Sequence, residues 1–344
     1  MPTVAVVTRP RQRVGGSVVT MTDLQQRRVG ASGLLVSAVG LGCNNFGRAG
    51  TVTETLEGTT AVLDAAIDAG VTFLDTADGY GKEPGLSETL MGEALKGRRD
   101  KVVLATKFGH SGSKFDYAGA KGSRSYVRRA VEASLRRLQT DWIDLYQLHT
   151  PDNETPMEET LDALGDLVRE GKVRYIGHSN FSGWQMAEAH FVARERHAVP
   201  YVSAQNEYSL LRRDVERNVL RAVQRYGLGF FPYFPLQNGL LTGKFTREGG
   251  PEDSRIMSTR RQVWEDAPWD ALDAYQAFCD ERGITMLEAT YGWLLSHPEL
   301  SSVIAGATRP EQVRANAAAG AAWTPDVSDL AAIDAIFPPA PKAP

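Results

Sequence analysis

The chain has 344 residues, 38 Lys and Arg against 42 Asp and Glu for a formal net charge of −4, and 42% hydrophobic with 23% charged residues. This composition excludes a disordered chain and a general nucleic-acid binder, and leaves either one large domain or two ordinary ones. The two cysteines, Cys43 and Cys279, make no disulfide framework and lack the paired spacing with histidine of a zinc site, so no metal is expected.

Taken in chain order, residues 1–21 open with short Val runs around Arg9-Pro10-Arg11-Gln12-Arg13 and lack the ordered regions of a signal peptide. They are expected to be a flexible extension, or an upstream start ahead of Met21. Residues 22–337 are expected to form a single domain, followed by a flexible Pro-rich tail over 338–344. No apolar run approaches the roughly 18 residues of a membrane span, so no membrane partner is expected and a reducing cytoplasm is the expected compartment.

The segment Gln26–Val36, with Gly30 and the Ser32-Gly33 turn, reads as a short hairpin. A repeating unit then begins, an apolar run, a polar or glycine-rich turn and an amphipathic stretch, which is the signature of βα units. Expected strands are Ala38–Cys43, Val71–Asp75, Val102–Lys107, Ile143–His149, Val173–Ser179, Val202–Asn206, Gly229–Tyr233 and Ser302–Ala307. Expected helices are Thr53–Ala69, Ser87–Leu95, Ser125–Leu138, Met157–Arg169, Gly183–Arg196, Asp214–Tyr226, Trp269–Glu281, Leu287–Ser296 and Pro310–Ala318. In Met157–Arg169 the apolar Leu161, Leu164, Leu167 and Val168 form the stripe of a helix with one buried face.

Strand ends recur about every 30 residues, and runs such as Val102-Val103-Leu104-Ala105 are apolar without alternation, as in parallel strands covered on both faces. Eight such strands predict a (β/α)8 TIM barrel with a short N-terminal β-hairpin. The alternative, a doubly wound dinucleotide fold, is disfavoured because Gly40-Leu41-Gly42-Cys43-Asn44-Asn45 lacks the last glycine of its fingerprint. Two long insertions, 109–123 and 237–268, follow the third and seventh strands on the side where barrel enzymes carry their active sites.

The polar ends of three consecutive strands converge on one face. The second strand ends in Asp75 with Tyr80 in the loop beyond, the third ends in Lys107 and the fourth in His149. A phenol is a poor proton donor near neutrality on its own. A neighbouring ammonium favours its ionised form, a carboxylate holds that ammonium charged, and an imidazole hydrogen-bonds a substrate oxygen. Together they are equipped to protonate a carbonyl oxygen as negative charge builds on it. Other motifs fail. Gly239-Leu240-Leu241-Thr242-Gly243-Lys244 is one residue short of a phosphate loop, and His110, His190, His197 and His297 have no ligand spacing.

These residues sit in Phe73-Leu74-Asp75-Thr76-Ala77-Asp78-Gly79-Tyr80-Gly81, Ala105-Thr106-Lys107, Asp144-Leu145-Tyr146-Gln147-Leu148-His149, Gly171-Lys172-Val173-Arg174-Tyr175-Ile176-Gly177 and Gly239-Leu240-Leu241-Thr242-Gly243-Lys244. From Gln26 to about Trp323 the chain resembles the aldo-keto reductase family, in the branch of potassium-channel β-subunit-like and bacterial general-stress reductases. The resemblance implies a catalytic tetrad of Asp75, Tyr80, Lys107 and His149, with Tyr80 the general acid. It also implies NADP(H) across the barrel mouth. Cys43, Asn44 and Asp75 would contact the cofactor from the first two strands, Ser179, Asn180 and Gln205 the carboxamide, and Tyr233 the nicotinamide ring. Phe234, Pro235 and Leu236 would follow the pyrophosphate, Lys244 and Arg255 the adenosine phosphate, and Gly306, Thr308, Gln312 and Asn316 the adenosine.

The chain departs from the family pattern at Phe234, where a serine is usual, and at Ala315, where a glutamate is common. His178 is also unusual and is expected to face the helices rather than the lumen. His110 reads as a surface-loop residue within reach of a substrate. The function implied is NADPH-dependent reduction of an aldehyde or ketone, by a monomer or homo-oligomer. Phe46, Phe108, Phe115, Tyr117 and Trp264 would line an apolar mouth for an aromatic or medium-length carbonyl. The alternatives are a cofactor-binding regulatory subunit with slow turnover, and a barrel lyase or isomerase using the Lys107 amine.

Overall fold

Successive inward-facing residues along each strand of a barrel lie two apart, and that spacing stacks the interior of this molecule into layers. The computed structural model describes residues 24–340 apart from Ser113, Asp116 and Ala118. The extension expected over 1–21 and the last four residues of the expected tail lie outside the described residues. A hairpin of β1 (Gln26–Arg28) and β2 (Leu35–Ser37) precedes eight parallel strands. These are β3 (Val39–Gly42), β4 (Phe73–Asp75), β5 (Val103–Phe108), β6 (Ile143–Leu148), β7 (Val173–Ser179), β8 (Ser203–Glu207), β9 (Gly229–Tyr233) and β10 (Val303–Gly306).

They run β10-β3-β4-β5-β6-β7-β8-β9 in sequence-ordered parallel pairs. The ring closes where the Phe230 amide donates to the Glu299 carbonyl at 2.9 Å and the Ser301 amide to the Phe230 carbonyl at 2.9 Å. This is the (β/α)8 barrel that the sequence predicts. Each expected strand appears within two residues of its expected start and one of its end.

The lower interior layer is apolar: Phe73, Ala105, Leu145, Phe231 and Ile304 pack with Val29, Leu34 and Val36 of the hairpin segment. Phe73 and Phe231 stack there with centroids 4.7 Å apart. The hairpin therefore plugs the bottom of the barrel, burying apolar surface at about 25 cal/mol per Å². Gly30 makes the plug fit, because a Cβ there would lie 2.3 Å from the Gly227 carbonyl oxygen, and its φ of +53° suits glycine. Two residues further along the same strands stand Asp75, Lys107, Gln147, Tyr233 and Gly306. Alternation thus turns a dry layer into a polar one at the C-terminal mouth.

The helices outside the barrel are α1 (Leu56–Asp68), α2 (Leu86–Ala94), α3 (Arg124–Leu138), α4 (Met157–Arg169), α5 (Gly183–Glu195), α6 (Val219–Tyr226), α7 (Arg255–Thr259), α8 (Arg261–Glu265), α9 (Trp269–Arg282), α10 (Met286–Leu295), α11 (Pro310–Ala322) and α12 (Val327–Ile336). Local chemistry fixes their ends. The Thr55 hydroxyl accepts from the Gly58 amide and caps α1, Ser123 caps α3, and Thr285 with Glu288 forms a capping box on α10. Leu161, Leu164 and Leu167 of α4 are buried, as their spacing predicts.

Three helices have no counterpart in the sequence expectation. α7 and α8 lie within the 237–268 insertion. In α12, Ile333 is buried and the half-buried Leu330 and Ile336 pack against the core, while Asp326 and Asp329 form its capping box. Arg213 holds its end by donating to the Phe337 carbonyl at 2.6 Å and to Asp334 at 2.7 Å.

Candidate active site

The polar layer is built around Asp75. Its Oδ2 accepts from Lys107 Nζ at 2.6 Å, and its Oδ1 accepts from Gln147 Nε2 at 3.1 Å and Gln205 Nε2 at 3.2 Å. Lys107 is fully buried and donates a second bond to the Thr76 carbonyl at 2.8 Å. A buried ammonium is tolerated only when paired and hydrogen-bonded. Burial lowers the Lys107 pKa, but Asp75 and Tyr80 more than offset it and hold the group above the usual lysine range.

Tyr80 reaches this pair because the chain after β4 stays bonded to β5: the Thr76 amide donates to the Ala105 carbonyl and the Asp78 amide to the Lys107 carbonyl, each at 2.9 Å. The turn at Gly81, with φ +113°, then brings the loop back, and a Cβ there would lie 2.7 Å from Leu86 Cβ. The Tyr80 ring stands with its centroid 5.2 Å from Lys107 Nζ and 5.8 Å from the His149 ring, nearly perpendicular to it. Burial pushes the phenol up and the Lys107 charge opposes this, with a net rise. Only the second of these effects is legible in the sequence. The result is a phenol that keeps its proton near neutrality beside a charged lysine.

Burial, followed by the charges of Lys107 and His110, drives the His149 pKa well below the usual histidine range, so the imidazole is neutral. Its Nδ1 is buried without a hydrogen-bond partner among the described residues. His110, in the insertion after β5, stands 4.7 Å away between ring centroids. The structure therefore brings Asp75, Tyr80, Lys107 and His149 together at one point of the mouth.

Gln147 belongs to the same cluster and was not singled out from sequence. It lies two residues before His149, whose amide continues the β6 pairing just past the strand, and so shares its face, a signal available from the period of two. Asp78 was likewise passed over. It is fully buried, neither of its carboxylate oxygens has a partner among the described residues, and burial first, then Glu88, raises its pKa to about 7.

The residues expected to meet a cofactor ring this cluster. Ser179 Oγ donates to the Gln205 carbonyl at 2.8 Å, Asn180 Nδ2 to the His149 carbonyl at 2.9 Å, and the Tyr233 hydroxyl to Asn180 Oδ1 at 2.9 Å. Asn180, at φ +63°, thus ties the ends of β6, β7 and β9 together. Phe234 follows Tyr233 in a left-handed conformation, Pro235 is buried and Leu236 is half-buried. Cys43 has its thiol in the helix-facing core, which leaves its main chain as the part near the mouth, next to the half-buried Asn44. On the far side of the mouth, Gly306 is exposed, and a Cβ there would meet Asn45 Nδ2 at 3.0 Å. The Thr308 amide donates to Gln312 Oε1 at 2.8 Å, and Asn316 is buried. Lys244 and Arg255 have no carboxylate ion-pair partner among the described residues; burial, with the charges of Arg48 and Arg260, lowers the Arg255 pKa to about 10.

The expected aromatic lining of the mouth does not form from Phe46 and Phe108. Both are completely buried in the core between barrel and helices, with Phe108 stacked on Tyr146 at 4.6 Å. Strand alternation explains this, since Phe108 follows the lumen-facing Lys107 and must point outwards. Phe115 and Tyr117 stack on each other at 5.0 Å, and the Trp264 indole donates to the Thr246 carbonyl. His178 behaves as expected, fully buried and stacked on Phe181 at 4.2 Å.

Lys244 and Arg255, without carboxylate partners among the described residues, fit the phosphates of a dinucleotide held without a Rossmann loop. Comparison with known proteins identifies the family. The model of the Aldo/keto reductase family matches residues 38–337. The chain is 38% identical over 295 residues to the uncharacterized oxidoreductase YrpG of Bacillus subtilis (strain 168), covering 83% of this chain and 88% of that protein. It is 34% identical over 325 residues to the L-glyceraldehyde 3-phosphate reductase of Escherichia coli (strain K12), covering 91% and 92%. It is also 34% identical over 334 residues to a probable voltage-gated potassium channel subunit beta of Oryza sativa subsp. japonica, covering 93% and 98%. No described helix is long and apolar enough to cross a membrane. The chain, an oxidoreductase by these relationships, belongs to the aldo/keto reductase family.

Proposed function

We propose that the protein reduces an aldehyde or ketone to the alcohol with NADPH, and that Asp75, Tyr80, Lys107 and His149 carry the chemistry. The observation behind this is the phenol of Tyr80 standing over the buried Lys107–Asp75 pair beside a neutral imidazole. A bound reduced nicotinamide supplies hydride to the carbonyl carbon. Tyr80 holds a proton for the carbonyl oxygen, and the Lys107 charge stabilises the phenolate left behind. Asp75 keeps Lys107 charged and in place, and neutral His149 offers a ring N–H to orient the substrate oxygen.

Ser179, Asn180, Gln205 and Tyr233 would hold the nicotinamide end, while the main chain near Cys43 and Asn44 and the 234–236 turn would flank the cofactor. Gly306, Thr308, Gln312 and Asn316 would hold the adenosine. Lys244 and Arg255 favour NADPH over NADH, because a 2′-phosphate gains charge-assisted bonds that a ribose hydroxyl lacks. We assign the protein to the cytoplasm, the reducing compartment in which its free Cys43 and Cys279 remain thiols.

The relative named as a glyceraldehyde-phosphate reductase supports an aldehyde as substrate, while the relative named as a channel subunit keeps a regulatory role with slow turnover as the second reading. The test is turnover on an aldehyde panel with NADPH and with NADH. The proposal expects multiple turnovers and a clear preference in kcat/KM for NADPH. Equal values for the two cofactors would remove the NADPH assignment, and turnover no faster than NADPH dissociation would favour the regulatory reading.

A further inference from the structure

The main chain of His149 is fixed on both sides: its amide donates to the Phe108 carbonyl at 2.8 Å, and its carbonyl accepts from Asn180 Nδ2 at 2.9 Å. Neither bond reaches the imidazole. A working imidazole is ordinarily oriented, and its tautomer set, by a hydrogen bond at the ring nitrogen turned away from the substrate. In His149 that nitrogen, Nδ1, is buried without a partner among the described residues. Other rings pack against it instead. The Tyr80 ring lies at 5.8 Å between centroids and 81° between planes, and the His110 ring at 4.7 Å and 70°. Both are edge-to-face arrangements, a geometry that aromatic pairs favour.

His110 is itself anchored. Gly109, at φ +75°, opens the insertion after β5, where a Cβ would lie 3.1 Å from Leu148 Cδ1. Its carbonyl accepts at 2.9 Å from the hydroxyl of Thr150, the residue that follows His149. The His110 carbonyl accepts from Lys121 Nζ, which ties the far end of the insertion back to its start. The ring is held by the Gly112 amide, which donates to His110 Nδ1 at 2.9 Å. That bond requires a lone pair on Nδ1 and so suits a neutral imidazole protonated on Nε2. Burial, then the Lys121 charge, lowers the His110 pKa in the same direction.

We infer that His110 is a positioning residue for His149, its ring setting, together with that of Tyr80, the orientation of the imidazole that meets the substrate oxygen. The inference rests on the role given to His149 above and adds the group that orients it. The contact is ring on ring, so an aromatic side chain should serve at position 110 and a polar side chain of similar length should not. His110 also keeps water from its neighbour. The titratable groups facing the His149 imidazole are Lys107 from β5, Tyr80 from the loop after β4 and His110 from the insertion, and of these the lysine carries a charge near neutrality. Opening the His110 side to water therefore eases protonation of His149.

The test measures kcat and KM for propanal, and the NADPH dissociation constant by fluorescence, in the wild type, His110→Ala, His110→Gln and His110→Phe. Loss of the ring in the Ala and Gln variants should lower kcat about tenfold with NADPH affinity within about twofold, and the Phe variant should return kcat to within about threefold of the wild type. The acid limb of the kcat/KM profile should move to higher pH in His110→Ala, because a hydrated imidazole is protonated more readily, and should stay in place in His110→Phe. Wild-type kcat in His110→Ala overturns the inference. Rescue by Gln and not by Phe also overturns it, by making His110 a hydrogen-bond donor, as does a change in NADPH affinity that accounts for the loss. Should the wild type reduce no aldehyde, the reductase reading fails separately. Proton–carbon NMR of the His149 ring in the NADP-loaded proteins, assigned with His149→Gln, then decides the contact. One sharp signal in the wild type and the Phe variant, broadened or doubled in the Ala variant, supports it, and the same signal in all three refutes it.

Discussion

Asp75→Asn probes the centre of the polar layer. The substitution keeps the shape of the side chain but leaves the fully buried Lys107 ammonium without its anion at 2.6 Å. The amide also has one acceptor oxygen where the carboxylate used two to receive Lys107, Gln147 and Gln205. Removing one partner of a buried pair costs about 3–5 kcal/mol, because the remaining charge is desolvated and uncompensated. For a barrel of this size that corresponds to a fall in Tm on the order of 10 °C.

The pH dependence follows from the direction of the Lys107 shift. In the wild type its folded pKa lies above the unfolded value, so its contribution is intact throughout the neutral range and is lost only above the usual lysine pKa of about 10.4. In Asp75→Asn, burial acts unopposed by that carboxylate and depresses the pKa. The deficit is then largest at low pH and shrinks as pH rises towards about 10, where the unfolded lysine also loses its proton. Denaturant unfolding of both proteins at several pH values between about 6 and 9.5 reads this directly. Asp75→Asn combined with Lys107→Met should recover much of the lost stability, since apolar replacement of a buried pair is nearly neutral. A deficit below about 1 kcal/mol, or one that stays constant with pH, would refute the account of Asp75 as the group that keeps Lys107 charged.

Asp78→Asn should change the pH dependence of stability in the same sense, over a lower pH range. The folded pKa of Asp78, about 7, lies above its unfolded value, so its stabilisation is complete below about pH 4 and is lost as pH rises through 7. The variant should therefore gain on the wild type in Tm between pH 5 and 8, and parallel curves would contradict this. Gln147→Leu removes one of three donors to Asp75 and should lower kcat by about tenfold with little change in the NADPH dissociation constant, as stopped-flow kinetics and fluorescence titration would report. Gly81→Ala forces a side chain into a left-handed turn against Leu86 and should displace the Tyr80 loop, lowering stability by more than about 1 kcal/mol and activity with it. An unperturbed melting curve would show that the turn tolerates the change.

The barrel was legible because apolar runs such as Val102–Ala105 lack the alternation of a half-exposed strand, and because strand ends recur about every 30 residues outside the two insertions. The tetrad was legible for a related reason, as strand ends with a charged or titratable residue all open onto one face. What remained hidden depends on facts that a strand-end reading omits. Gln147 sits one layer inside the end of its strand, and Asp78 becomes unusual only once its burial without partners is known. Phe46 and Phe108 were assigned to the mouth by proximity in sequence, although alternation turns Phe108 outwards. α12 carries a readable signal, since Leu330, Ile333, Ile336 and Phe337 repeat the spacing of the α4 stripe directly before the Pro-rich tail.

The most direct test of the central claim is single-turnover oxidation of bound NADPH by an aldehyde, in the wild type and in Tyr80→Phe. Loss of the phenolic proton donor should slow the chemical step by about 10²–10⁴-fold, while NADPH binds with nearly unchanged affinity. A Phe variant that reduces the aldehyde at the wild-type rate would contradict the assignment of Tyr80 and, with it, the chemistry proposed for this site.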